Sequence, residues 1–314
     1  MTTPRLAAVV LILLVDASAG CSASETPECP ACAAMPAGYL FVADRGGDAI
    51  LRYDAPTGDF IDVFAAGAEM RVDRPSSVRY GPDGYLYLAG FGRGDVVRFD
   101  VRSGQMLDTF FQDPVLEEPV ELLFRGGDLV VLGHDTQNAV VIGRQGNLAG
   151  EFGFPDMRAA HDFAFGPDGL LYVGTDSHPQ RGTALQVWDV QRGELLLDFG
   201  EPAVLSAATG VAIGPDGLLY VADAYRDQVV AFDPATGAPA GALVSQEEQL
   251  LDQPASLDFG PDGALYVVDR AGVHRFDPSS GAYLSRVVSA GDGHLAGPRS
   301  ITFVTEAAMA ERDR

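Results

Sequence analysis

The sequence predicts an all-β fold, a six-bladed β-propeller with four-stranded blades, and three observations carry that prediction. One tetrapeptide occurs four times, as Gly81-Pro82-Asp83-Gly84, Gly166-Pro167-Asp168-Gly169, Gly214-Pro215-Asp216-Gly217 and Gly260-Pro261-Asp262-Gly263. The copies begin 85, 48 and 46 residues apart, and a degenerate copy, Leu122 to Val131, falls inside the long gap, so the period stays in the forties. The two ends of the array are complementary. Gly38-Tyr39-Leu40-Phe41-Val42-Ala43-Asp44 reads as a second strand with no first strand before it, and Pro298-Arg299-Ser300-Ile301-Thr302-Phe303-Val304 as a first strand with no hairpin after it. Pairing strand 298–304 with strand 38–44 closes the ring at six blades and leaves no free sheet edge.

Each tetrapeptide is a turn. Proline fixes φ at the first corner, aspartate bonds back to the backbone, and the second glycine takes the positive φ of a tight reversal. Before each turn lies an alternating run such as Ser256-Leu257-Asp258-Phe259, and after it a buried-type strand such as Leu219-Tyr220-Val221-Ala222-Asp223. A third run ends in a second turn, as in Phe232-Asp233-Pro234-Ala235-Thr236-Gly237. Asp54, Asp100, Asp189, Asp233 and Asp277 recur at that second turn, and Asp44, Asp223 and Asp269 at the end of the second strand, where they cap turns through backbone N–H groups. Trp188 stands where other blades carry Phe or Tyr and belongs to the core between blades.

Residues 1–20 read as a lipoprotein signal peptide. Arg5 precedes an apolar run, Leu6 to Val15, too short to span a bilayer comfortably. Ser18-Ala19-Gly20-Cys21 resembles a bacterial lipobox, which makes Cys21 the lipidated residue; ordinary secretion with cleavage after Ala19 is the alternative. Residues 21–36 form a tether. Lipidation of Cys21 leaves Cys29 and Cys32, a CxxC pair whose Ser, Glu, Pro and Ala flanks favour a local disulfide over redox chemistry. Residues 37–305 make the propeller and 306–314 a C-terminal tail.

The formal net charge is -23 over 314 residues, with 21 basic residues, all arginine. Such a field repels nucleic acid and anionic membrane surfaces, so the membrane is reached only through the lipid anchor. The expected location is the outside of a bacterial envelope, lipid-anchored, or else secreted or periplasmic; the expected state is a monomer.

The repeat resembles that of NHL-repeat propellers, whose unit reads roughly Pro-x-Gly-φ-x-φ, then Gly-x-φ-Tyr-Val-Ala-Asp, then φ-x-x-Phe-Asp-x-x-Gly (φ, apolar), and the resemblance covers residues 37–304. That scaffold hosts lyases, lactonases and binding modules. The resemblance implies that the opening residues of each first strand line one rim of a central channel. Aligned on the turns, these are Ser76, Val120, His161, Thr209, Ala255 and Arg299, followed inward by Ser77, Glu121, Asp162, Gly210, Ser256 and Ser300. Streptogramin lyase-like and gluconolactonase-like propellers use this ring for a divalent metal, Ca2+, Mg2+, Mn2+ or Zn2+. Carried over, the resemblance makes His161 and Asp162 catalytic and His161, Asp162 and Glu121 metal ligands; the partner acid and histidine of the lyases are absent, with Thr209-Gly210 and Ala255-Ser256 in their place. His134 is read as ending the second strand of blade 3, and His178 as lying in the long loop of blade 4, so both join the rim sector of His161.

The residues therefore predict a binding or scaffolding module with a rim of Ser76, Glu121, His134, His178, Thr209 and Arg299, taking an envelope protein, a peptide or a carbohydrate. Arg45, Arg226 and Arg270, with Phe91 and Tyr225 beside them, extend that rim, and the three arginines are expected to pair with nearby carboxylates. The competing expectation is a metal-dependent lyase or lactonase centred on His161.

Overall fold

The computed structural model describes residues 34–153, 160–175, 184–190, 192–201 and 203–312. The signal peptide, Cys21, Cys29, Cys32 and His178 lie outside the described residues. Six four-stranded antiparallel sheets surround a common axis. Their innermost strands are Pro75–Tyr80, Pro119–Arg125, Asp162–Phe165, Ala208–Ile213, Ser256–Phe259 and Pro298–Thr305, in blades 2 to 6 and then blade 1. Blade 1 is assembled from both ends of the chain: Gly38–Asp44 pairs antiparallel with Pro298–Thr305, Leu40 opposite Phe303 and Val42 opposite Ile301. The predicted ring closure is the observed one.

Strand alternation accounts for the packing. In Gly38–Asp44, Leu40 and Val42 pack against blade 6 while Phe41 and Ala43 pack against blade 2, and all four are fully buried. Six apolar clusters fill the six blade-to-blade interfaces. Each fully buried Val, Leu or Phe contributes roughly 1.5–3 kcal/mol, so removing one blade strips apolar cover from two neighbours. Trp188 lies in the interface of blades 3 and 4, as its sequence position predicts.

At each turn, the second glycine of Gly-Pro-Asp-Gly has a φ of 82°, 82°, 83° and 80° at Gly84, Gly169, Gly217 and Gly263. The first glycine is required for a different reason. A Cβ on Gly81, Gly166 or Gly214 would lie 2.6, 2.7 or 2.6 Å from a ring carbon of Tyr87, Tyr172 or Tyr220, and Gly260 is covered by Tyr266 in the same way. Each tyrosine hydroxyl donates to the turn aspartate four residues earlier, at 2.8, 3.0, 2.8 and 3.0 Å for Tyr87, Tyr172, Tyr220 and Tyr266. The other oxygen of each aspartate accepts the backbone N–H two residues on. The hydroxyls of Tyr172 and Tyr220 also donate to Pro234 and Pro278 of the next blade.

Asp223 and Asp269 cap the turn that follows, accepting the N–H of Tyr225 and of Ala271 and Gly272, and with Asp44 they also reach the loop before the blade. Asp44 accepts N–H groups of Ala296 and Gly297, Asp223 those of Ser206 and Ala207, and Asp269 that of Asp252, so each staples the incoming loop to its blade. Blades 2 and 3 have Gly90 and Gly133 at this position. There Asp95 and Asn138, directly opposite on the third strand, take over the loop contact through Arg71 and the Val115 carbonyl. His134 therefore begins the following loop instead of ending the second strand.

The C-terminal tail forms a helix, Glu306–Arg312. Its alanines favour helix, glutamate opens it and arginine closes it in accord with the helix dipole. Thr305 accepts the Ala308 N–H, Met309 is buried against blades 1 and 2, and Arg312 pairs with Asp100 at 2.9 Å. The helix covers part of the end of the ring where the Gly-Pro-Asp-Gly turns lie.

The two glycines of one turn are separable by substitution. Gly214→Ala, an overpacking change, is expected to cost about 1–3 kcal/mol, and Gly217→Ala, a left-handed strain, about 1–2 kcal/mol. Asparagine, which tolerates positive φ, is expected to restore most of the loss at 217 and to be worse than alanine at 214. Urea unfolding of the four variants checks this, and equal tolerance of asparagine at both positions contradicts it.

Candidate functional site

The inner strands place two levels of side chains in the upper channel. At the first, Ser76 is buried and donates to the carbonyls of Ala89 and Pro119; Thr209 is buried and donates to Ala222 and Pro254. Both hydroxyls thus tie one blade to the proline that opens the next, and neither is offered to a ligand. Val120 is buried apolar lining.

At the second level Glu121, 2 % exposed, accepts the Ser77 hydroxyl at 2.6 Å and the Leu122 N–H at 3.1 Å and pairs with Arg79 at 3.0 Å. Asp162, 3 % exposed, accepts the N–H of Phe163 at 2.7 Å and, across the blade interface, that of Val211 at 2.8 Å. Arg79 spans the channel. Besides Glu121 it reaches Asp258 at 3.1 Å and the carbonyls of Leu122 and Ile301 at 3.2 and 2.7 Å, linking blades 2, 3, 6 and 1. Burial lowers its pKa, but Glu121 and Asp258 outweigh that, so the guanidinium stays charged. Burial pushes the Asp162 carboxyl well above the carboxylate range, and Glu121 adds to the rise. Burial also raises Glu121, against the pull of Arg79. Arg79 and Asp258 were missed by the sequence reading, although they stand two residues beyond Ser77 and Ser256, on the same face of their strands.

The expected ligand set of His161, Asp162 and Glu121 is therefore not brought together for a metal. The two acids are engaged by protein donors within the channel, while His161 sits at the rim with its ring centroid 6.3 Å from that of His134. Among the described residues, the converging set of three metal-ligand types is Glu118, His134 and Asp135, whose ligand atoms lie within 4.8 Å of one another. His134 Nδ1 is 2.9 Å from Asp135 and 3.5 Å from Glu118. The hydrogen bond from His134 pulls the Asp135 carboxyl down. Only His134 of this set was singled out from the sequence; Asp135 is its neighbour in the chain, and Glu118 comes from the loop that enters blade 3.

Phe91 lies between this acidic side of the rim and a basic one. Its ring is 6.2 Å from that of His134, and the guanidinium of Arg45 lies 3.9 Å from its centroid. Arg74 is 5.1 Å from the same ring. Arg45 is thus stacked on an aromatic ring where carboxylate pairing was expected. Arg226 donates to the Ser206 hydroxyl and the Ala203 carbonyl, and Arg270 is exposed. Arg299, partly buried at the channel mouth, makes no hydrogen bond or ion pair with any described residue. Burial and the charge of Arg45 lower its pKa, against the pull of Asp162 and Glu121. Next to this mouth is a hollow of about 480 Å³ lined by Arg74, Phe91, Arg93, Glu117, Glu118 and Asp135 among others.

No protein-family model matches this chain, and no curated protein does either. Among solved structures, a chain of the "Crystal structure of Nidogen/Laminin Complex" matches with a TM-score of 0.66 and 15% identity, over 84% of this chain and 97% of that one. The chain has the six-bladed propeller fold. At that identity the likeness is one of fold alone.

The raised carboxyl of Asp162 sets a pH signature. The folded state holds its proton to higher pH than the unfolded state, whose aspartates titrate near about 3.9, so this group withdraws stability as pH rises from about 4 towards neutrality. The stability difference between Asp162→Asn and wild type is expected to move in favour of the variant from pH 4 to pH 7. Denaturant unfolding at several pH values measures it, and a difference independent of pH contradicts the burial argument.

Proposed function

We propose that this chain is a lipid-anchored, extracytoplasmic NHL-type propeller that binds a protein partner on the open end of its ring. One observation carries the reading. Glu121, Asp162 and Asp258 and the hydroxyls of Ser76, Ser77 and Thr209 are engaged with one another, with Arg79 or with the backbone, whereas the side chains of Arg45, Arg299 and Tyr225 make no hydrogen bond or ion pair with any described residue and lie, with the buried Phe91 ring beneath Arg45, at the end opposite the Gly-Pro-Asp-Gly turns. Tyr225 is 69% exposed on the loop after the second strand of blade 5. Arginine and aromatic side chains dominate protein recognition energy, since they bury large area at low entropic cost. The likeness to a propeller solved in a nidogen/laminin complex supports the reading at the level of the fold. Cys21 supplies the anchor, and the Cys29–Cys32 tether holds the ring off the membrane.

A photo-reactive amino acid at position 225 is expected to give discrete protein cross-links in the intact envelope. The same residue at position 236, exposed on a third-strand turn at the opposite end, is expected to give none. Cross-links of equal yield from both positions, or from neither, remove this reading.

A second reading, a metal-assisted lyase or lactonase on the rim, is favoured by the convergence of Glu118, His134 and Asp135 beside His161. Those three residues would hold the divalent metal, which would polarise an ester carbonyl. This reading expects near-stoichiometric metal by mass spectrometry on dialysed, untagged protein, lost in His134→Ala. Metal-free wild type after incubation with Ca2+, Mn2+ or Zn2+ removes it.

A further inference from the structure

The basic side of the rim is built from three arginines of separate segments. Arg45 follows the second strand of blade 1, and its N–H donates to the Gly297 carbonyl at 2.9 Å, two residues before Arg299. Arg74 arrives on the loop from blade 1 to blade 2; its N–H donates to Asp48 at 2.7 Å and its carbonyl accepts the Phe91 N–H at 3.3 Å. The backbone thus brings Arg45 and Arg299 to one corner of blade 1 and sets Arg74 beside Phe91, on which the guanidiniums of Arg45 and Arg74 converge. Among the described residues the one carboxylate paired with any of the three is Asp73, 3.9 Å from Arg74 at an exposed site.

That arrangement is costly in the free protein. Burial lowers the pKa of Arg45 and Arg74 lowers it further, against the pull of Glu118; burial lowers that of Arg299 and Arg45 lowers it further, against the pull of Asp162 and Glu121. In a chain of net charge -23, where carboxylates are abundant, Arg45 is left facing both Arg74 and Arg299, with the channel acids Glu121 and Asp162 already bonded elsewhere. We propose that Arg299, Arg45 and Arg74 form a carboxylate socket, into which a protein partner inserts an aspartate or glutamate side chain at the mouth of the channel. This rests on the protein-binding reading above and names the chemistry that reading uses. A guanidinium presents two parallel N–H groups that match a carboxylate, and the Phe91 ring keeps water from one side of the pair. The acidic surface around the socket repels partners that present their acids elsewhere, so the socket fixes register as well as affinity.

The test uses the full chain and two capped peptides, acetyl-Gly-Asp-Gly-amide and its Asn counterpart, titrated calorimetrically at about 0.15 M salt, where exposed pairs are largely screened. The Asp peptide is expected to bind about tenfold more tightly than the Asn peptide. Arg299→Gln and Arg45→Gln are each expected to abolish that preference, and Arg270→Gln, on the rim of blade 6, to keep it. Arg45 stands outside the channel and leaves the Arg79 network intact, so its variant carries the test if Arg299→Gln does not fold. Equal binding of the two peptides, an Asp preference surviving in Arg45→Gln, or tighter binding of a phosphoserine peptide overturns the socket. Cross-links at position 225 without an Asp preference remove the socket and leave the binding module standing; an Asp preference without cross-links keeps the socket and removes the protein partner.

Discussion

Every regular blade is held at its base by one contact, the hydroxyl of a buried tyrosine on the aspartate of its own Gly-Pro-Asp-Gly turn. The aspartate satisfies a backbone N–H with one oxygen and the tyrosine with the other, so the turn and the strand four residues later form one rigid unit. The ring of that tyrosine lies over the first glycine, and in blades 4 and 5 its hydroxyl reaches a carbonyl of the following blade. A local motif thereby also sets the distance between neighbours. Burial raises the pKa of Tyr172 and Tyr220 above the ordinary tyrosine range, which keeps these hydroxyls protonated and donating. Blade 3, where Gly126-Gly127 replaces the Pro-Asp corner and Val130 the tyrosine, lacks this unit and depends on apolar packing with blades 2 and 4.

The fold was legible because it is written several times. Turn chemistry, the period in the forties and the complementary ends each specify the same ring, and the pairing of Gly38–Asp44 with Pro298–Thr305 follows from topology alone. What was not legible is what depends on contacts between distant segments. Ser76 and Thr209 look like ligand groups in the sequence, yet each bonds a carbonyl more than forty residues away. Glu121 and Asp162 look like metal ligands, and their partners Arg79 and Val211 come from other blades. The step from His134 to Gly133 at the end of a strand was missed because blade 3 carries its polar group on the third strand instead of the second. The terminal helix was missed because seven residues give little periodicity, although Thr305 and the alanines after it are sound helix signals.

Charge divides the molecule along its axis. The middle of the channel holds Arg79 among Glu121, Asp162 and Asp258, and breaking a buried pair of this kind typically costs about 3–5 kcal/mol because it leaves a charge unpaired. That network specifies how the blades meet and is poorly suited to exchanging ligands. One level outward the balance reverses, with Arg299 facing Arg45 and lacking a bonded acid. Closed electrostatics below and open electrostatics above is the arrangement that the proposed binding role requires, a centre that maintains shape and a mouth with charge to spare.

The departures from the repeat lie where the proposed recognition groups lie. In blades 1, 5 and 6 an aspartate ends the second strand and staples the incoming loop, which fixes the backbone at the rim. In blades 2 and 3 glycine takes that place, and Asp95 and Asn138 do the stapling from the opposite strand. The stapling is conserved in effect while the residues after the second strand are released from the repeat, and those residues are Phe91 and His134-Asp135. Glu118, in the left-handed conformation with φ 47°, supplies the carbonyl that accepts the His134 N–H and so joins the loop entering blade 3 to the same corner. A sequence that satisfies the same structural requirement by a different route in adjacent blades, and carries an aromatic and ionisable groups at the vacated positions, supports the proposed site at that sector independently of any argument from charge.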